Sequence, residues 1–315
     1  MAIADLQNII ADASRAMPKN MVLTGEGTQN ERYVKNRHIS GVASSVGSLS
    51  LTDILPRAPE TANRAVSQPA GESESLASAL VRSSRFIQAG ARLIPLRAGE
   101  DSQGSINGIP VWSQSPGSFT VIEGAAFAPG DELSPLAASP LPVSTEEIDR
   151  DLIQSEGVRF ELSRSLQKSL TPEELNARLV NAIAFGIGRT VDKIALAKLQ
   201  AELLEAGGGT EMPTYSLAAA AGVGLRFNEL SAIVGTNGTG ASVENGVLRV
   251  SGLPAELTGE NANTFIGAFD RSAVAVMDDI RVLVERLDVN GKIAVTCWLD
   301  ALPLVPDAAF FWSAA

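Results

Sequence analysis

The 315-residue chain has one cysteine, Cys297, and one histidine, His38. No intramolecular disulfide and no Cys/His zinc site can be assembled from it. Aromatic residues make up only 5%, so any core is built mainly from Leu, Ile, Val and Ala. No apolar run reaches the length of a transmembrane helix, and the start, MAIADLQNII, has no basic region of the secretory kind. These features read as a product made in the cytoplasm. The net charge is −11, which excludes nucleic-acid binding through the whole surface, because phosphate affinity comes from Lys and Arg. The charge is uneven: residues 1–90 hold 9 Lys and Arg against 8 Asp and Glu, and the remainder holds 16 against 28. There is no lysine between Lys35 and Lys168 and no internal repeat of fixed period.

The length and a hydrophobic share of 45% suffice for two or three compact units. Residues 3–16 have helical spacing and stop at Pro18. Residues 40–80 are rich in Ser, Ala, Pro and Glu and read as an extended arm with little to bury. From 85 to 145, RFIQAGARLIPL, GIPVWSQ, SFTVIEG and ASPLPVS read as strands, with EDSQGSING as a turn. They form a long two-stranded excursion that something else must cover, because an isolated ribbon is marginal in water. A helix is expected near 145–169, with Ser144 or Thr145 as its cap. The strongest local signal follows it. Thr171 is an N-cap, Pro172 the first helical residue and Glu174 the capping-box acid, and Gly207-Gly208-Gly209 is the stop. Leu175, Leu179, Ile183, Ile187, Val191, Ala195, Leu199 and Leu203 recur at i+4 and form one ridge. Residues 210–265 read as a small α/β unit, and residues 266–315 as strands with a hairpin turn at Asn290-Gly291.

Little in the chain carries chemistry. GTNGTG (235–240) lacks the Lys-Ser/Thr of a phosphate loop, and FGIGRT (185–190) falls inside the long helix. Asn237-Gly238-Thr239 reads as a surface turn. His38 lies among Arg32, Lys35 and Arg37, which read as a solvated basic patch or a contact to a nucleic-acid backbone. Glu146-Glu147 and Glu173-Glu174 suit the first turns of helices. Asp278-Asp279 falls where a strand turns, and Cys297 in an apolar strand reads as packing. No catalytic residue, cofactor site or metal site is assigned.

The stretch FTVIEGAAFAPGDE (119–132) resembles the return strand of the extended loop in the major capsid proteins of tailed phages, the Hong Kong 97-like fold. LAASPLPVSTEEIDRDL resembles the segment entering that family's peripheral domain, and NARLVNAIAFGIGRTVDKIAL its spine helix. GAFDRSAVAVMDDIRVLVER and LVPDAAFFW resemble its closing strands. The resemblance covers residues 85–315 and rests on the order and spacing of these pieces. It implies an α+β fold with an N-terminal arm (1–90), an extended loop (91–143), a peripheral domain with the spine helix (144–209), an axial domain (210–265) and closing strands (266–315). It also implies a non-enzymatic shell protein of the virion that forms hexamers and pentamers around double-stranded DNA without sequence specificity. Scaffold, portal and decoration proteins would be further partners, and no membrane is involved. Trp112, Phe119, Ile122, Glu123 and Phe127 would contact a neighbouring subunit, and Arg32, Lys35 and Arg37 would face nucleic acid.

Two other readings compete. An encapsulin-like compartment keeps the fold, but the polar 40–80 stretch disfavours it. An oligomeric enzyme with an interface site needs residues of which the chain has few. Some relatives in the capsid family cross-link a loop lysine to a neighbour, and some carry a cleaved scaffolding segment. The lysine-free loop and the short leader predict neither here. Intact-mass measurement on particles should therefore return the full 32.9 kDa, and a denaturing gel should show no ladder of resistant multimers. A truncated mass or a ladder would overturn the corresponding expectation.

Overall fold

A computed structural model gives the structure of the chain. It describes residues 3–15, 21–24, 32–35, 44–53, 75–96, 102–106, 109–113, 117–125, 127, 139–288 and 290–314. In chain order the elements begin with α1 (Ile3–Arg15), β1 (Met21–Thr24), β2 (Arg32–Lys35), β3 (Ser44–Ser50), α2 (Leu76–Ser83), α3 (Arg85–Gln88) and β4 (Arg92–Leu96). Next come β5 (Ser102–Ile106), β6 (Ile109–Ser113), β7 (Ser118–Ile122), β8 (Val143–Glu147), β9 (Gln154–Leu162), α4 (Arg164–Ser169) and α5 (Pro172–Ala206). The chain closes with α6 (Leu217–Gly222), β10 (Ser231–Val234), β11 (Ala241–Glu244), β12 (Val247–Val250), β13 (Leu253–Leu257), β14 (Phe265–Gly267), β15 (Ala273–Met277), β16 (Asp279–Arg286), β17 (Ile293–Leu304) and β18 (Phe311–Ser313). The class is α+β. Contacts group the chain into two compact units, and these cut across the expected segments.

The first unit comprises Met1–Ser83, Ser155–Ile187 and Met277–Asp300. Its sheet is built on β16. On one side β16 pairs antiparallel with β3, from Ser44 opposite Glu285 to Ser50 opposite Asp279. On the other side it pairs with β17, from Arg281 opposite Trp298 to Arg286 opposite Ile293. The predicted N-terminal helix is present as α1 and packs on β3 and β16, burying Leu6, Ile10 and Ala13. The described parts of 40–80, residues 44–53 and 75–80, are therefore not the core-poor arm that their composition suggests. Leu49, Leu51, Leu76, Ala79 and Leu80 are buried, and Leu76 N donates to Asp53 O at 2.8 Å. The intervening residues 54–74 lie outside the described part.

The helix expected near 145–169 is not formed. Those residues are β8, β9 and, from Arg164, the short α4 capped by Ser163, whose side chain accepts from Leu166 N at 3.2 Å. The reason lies in a distant partner, because β9 pairs with β17. At Gly157 an added Cβ would fall 2.9 Å from Trp298 Cδ1, so this glycine lets the indole lie against the strand.

The second unit comprises Ser84–Gln154, Gly188–Val276 and Ala301–Ala315. One sheet has the order β11-β12-β13-β10-β14-β18, so the predicted 210–265 unit recruits the C-terminal strand. Its aromatic core is a chain of edge-to-face contacts, Phe86 to Phe269 at 5.4 Å and Phe269 to Phe311 at 5.5 Å. In this unit β15 pairs with the last part of β17, from Ala273 opposite Leu304 to Val276 opposite Ala301, and β4 lies on its other side. The segment RFIQAGARLIPL is thus not one strand. Arg85–Gln88 is helical, and Gly90, at φ +130°, turns the chain into β4. EDSQGSING is not only a turn, for it contains β5.

Helix α5 follows its sequence closely. Thr171 Oγ1 accepts from Glu174 N at 3.2 Å, and every residue of the predicted ridge is buried. The 35 residues rise about 50 Å along the axis. Gly208 and Gly209, at φ +80° and +87°, end it. Within the second unit Asp192 of this helix caps α3. Its carboxylate accepts from Ser84 Oγ at 2.7 Å and from Arg85 N and Phe86 N at 2.9 Å.

Burial raises the pKa of Asp192 above the ordinary aspartate value, against the lowering pull of these three donors and the charge of Arg85. The folded chain then holds the Asp192 proton more readily than the unfolded chain does. Its stabilising contribution is complete at acid pH and is lost as pH rises through the raised value. The stability of wild type relative to Asp192→Asn in urea unfolding should therefore fall as pH rises above about 4. A rise across that range would show that the three donors outweigh burial.

Candidate functional site

The ribbon formed by β7 and β8 gathers most of the predicted contact residues. The strands pair antiparallel from Ser118 opposite Glu147 to Ile122 opposite Val143. The pairing continues at both ends: Ile148 N donates to Gly117 O at 2.7 Å and Glu123 N to Pro142 O at 2.9 Å. Thr120 and Thr145 bring their hydroxyls to 3.1 Å across the strands.

Side chains alternate across a strand, and the alternation divides this ribbon. On the inner face, Phe119 and Ile148 pack with Ala273, Ala275, Leu302 and Leu304, with Val121 beside them. The Arg92 guanidinium lies 6.0 Å from the centre of the Phe119 ring. Glu146, directly opposite Phe119, is a charged member of that face. Its carboxylate accepts the Val305 N–H and lies 3.5 Å from Lys198 Nζ, which also pairs with Glu202 at 2.6 Å. Burial lowers the pKa of Lys198, but the hydrogen bond to Glu202 and the two carboxylate charges outweigh it, so the net shift is upward.

The distal end of the ribbon is different. Ile122 is 73% exposed, Leu141 79%, and Phe127 99%, with Val143 also exposed. Large apolar side chains are thus exposed at and just beyond one end of a two-stranded element, where water should drive them against another surface.

These positions revise the expected contact set. Phe119 is covered by its own unit, so it needs no second chain; it alternates onto the inner face with Val121, whereas Ile122 faces out. Ile122 and Phe127 are available. Glu123 is partly exposed and accepts from Ser144 Oγ at 3.4 Å. Trp112 belongs to β6, where its backbone is opposite Gln103, in a different pair of strands. Arg32 and Lys35 lie on β2, opposite Thr24 and Met21; Arg37 and His38 lie outside the described residues. Leu141 and Val143 were missed because ASPLPVS was read as a strand without its register. Glu146, assigned to a helix start, is instead on β8.

Other groups point to no chemistry. Cys297 is buried, and burial pushes its thiol up to about 12, so it is not ionised near neutral pH. Among the described residues no group of three or more His, Cys, Asp or Glu could hold a metal ion, and no helix is long and apolar enough to cross a membrane.

No protein-family model matches the chain, and no curated protein matches it. Solved structures do. A chain of the satellite phage P4 procapsid that includes the size determination (Sid) protein is similar, with a TM-score of 0.44 and 14% identity over 76% of this chain and 97% of that one. The capsid of an empty GTA particle is similar, with a TM-score of 0.42 and 15% identity over 80% and 93%. A chain from Gordonia phage Cozz has a TM-score of 0.42 and 14% identity over 80% and 90%. Each is a similarity at low identity, and no residue's role follows from it.

The two phenylalanines of the ribbon should separate cleanly. Phe119→Ala should lower stability in urea unfolding by about 3–5 kcal/mol. Phe127→Ala should change it by less than about 0.5 kcal/mol. Equal losses would mean that Phe127 is covered within the chain.

Proposed function

We propose that the chain is the major capsid protein of a tailed phage, a subunit that associates with copies of itself into a closed icosahedral shell around double-stranded DNA. The observation that carries this reading is the β7–β8 ribbon: its base is packed into its own unit, while Ile122, Leu141, Val143 and Phe127 at its far end are uncovered. A ribbon of two strands does not sustain such an apolar end alone, and a second copy of the same chain supplies a cover at no further genetic cost. Contacts of this head-to-tail kind close into rings when the rotation between copies is a whole fraction of a turn. Hexamers and pentamers are such rings. The resemblance of residues 85–315 to the Hong Kong 97-like capsid family supports the same conclusion.

The role is mechanical and non-enzymatic. The protein is made in the host cytoplasm and ends in the virion. DNA is enclosed without sequence readout, in keeping with the acidic body of the chain, and Arg32, Lys35 and Arg37 are the residues proposed to face it. Scaffold, portal and decoration proteins are the further partners.

Light scattering and negative-stain electron microscopy of the purified chain test this. Polyhedral shells, or discrete hexamers and pentamers, are expected. Ile122→Asp combined with Phe127→Asp should leave the far-ultraviolet circular dichroism unchanged and abolish those assemblies. A wild-type monomer or dimer that stays so on concentration would overturn the proposal.

A further inference from the structure

The inner face of the ribbon carries Phe119, Val121 and Ile148 against its own unit, and polar groups beside them. Phe119 is buried there, yet its partner across the strands is Glu146. A side chain at that position lies on the face of the packed base, where Glu146 is 24% and its partner Lys198 33% exposed. Glu146 has two partners from separate parts of the second unit. Val305 lies just beyond the end of β17, past the last ladder pair at Leu304, and its N–H is taken by the Glu146 carboxylate. Lys198, on α5, reaches the same carboxylate and divides its charge between Glu146 and Glu202.

The geometry points to Glu146 as the positioning residue of the ribbon: with Lys198 and Val305 it forms a polar latch that fixes how the ribbon is set on its unit, and so where its uncovered apolar end is presented. Apolar packing of Phe119 and Ile148 holds the base in place but is non-directional. The carboxylate adds direction, since a hydrogen bond and an ion pair to two fixed elements are satisfied in one orientation only. A ribbon that pivoted on Phe119 would keep most of its apolar contact and lose this pair. The latch is breakable, because Lys198 has a second carboxylate in Glu202 and keeps a partner when Glu146 moves away. The biological use of this latch rests on the shell reading above; its existence does not.

Hydrogen exchange on the full-length, unassembled chain, read by peptide, tests the latch. Glu146→Gln keeps an oxygen for the Val305 N–H but removes the charge, and Lys198→Met removes the other charge. In each variant the amides of 118–122 and 143–147 should exchange about fivefold faster, while those of α5 and β15 stay as in wild type. The double variant should be no faster than either single one, because both remove the same interaction. Added salt should speed ribbon exchange in wild type and have no effect in Glu146→Gln. Unchanged ribbon exchange in both variants would overturn the proposal. So would equal acceleration in β15 and α5, which would make Glu146 a contributor to general stability only. Failure of the wild-type chain to form shells would count against the capsid reading and leave this exchange result standing.

Discussion

Strand β17 is the constraint on which most of the structure depends. It runs for twelve residues, and nearly all of them are buried. Such a strand cannot alternate inside and outside; it needs covered faces and a neighbour on each edge. In the first unit β16 and β9 supply those neighbours, and in the second β15 does. The burial of Cys297 and the lie of the Trp298 indole over Gly157 are consequences. So is the fate of the N-terminal segment: with β16 committed to β17 on one edge, its other edge is open, and β3 closes it.

The ribbon repeats this logic on a smaller scale and leaves it unfinished. Its inner face is satisfied by Ala275, Leu302 and Leu304, themselves held by the pairing of β15 with β17. Its outer distal end has no such partner among the described residues. The contrast between Phe119 at 6% exposure and Phe127 at 99% is the structural basis of the shell reading. Ion pairs elsewhere, such as Arg159 with Glu285 and Arg281 with Asp300, have at least one well-exposed side chain and contribute little singly. The Glu146–Lys198 pair differs because both side chains are partly buried, at 24% and 33% exposure, beside a packed base.

Much of the candidate site was within reach of sequence reading, and the parts that escaped share a cause. Ile122 and Phe127 stood out as apolar residues beside Gly and Pro. Phe119 could not be told from Ile122 until the strand had a register, because one step of alternation moves a side chain to the opposite face. Leu141 and Val143 needed the same register from the other strand. Glu146 was read from its neighbour Glu147 and the following residues as a helix start; only the pairing with Phe119, and the arrival of Lys198 and Val305 from distant sequence, gives it another role.

Local interactions settled in advance what they alone control. The cap at Thr171, the i+4 ridge and the glycine stop specify α5, and the spacing of Leu6, Ile10 and Ala13 specifies α1, because a helix closes its hydrogen bonds within four residues. Turn chemistry likewise placed the β16–β17 hairpin at Asn290-Gly291. Strands are different, since their hydrogen bonds are made to whatever lies beside them. Residues 44–50 became β3 through a partner more than two hundred positions away, as the Ser50 hydroxyl on Asp278 shows at a separation of 228. Residues 154–162 became β9 because β17 offered an edge. Tertiary structure alone decided these elements, and with them which apolar residues were covered by their own chain and which were left for another.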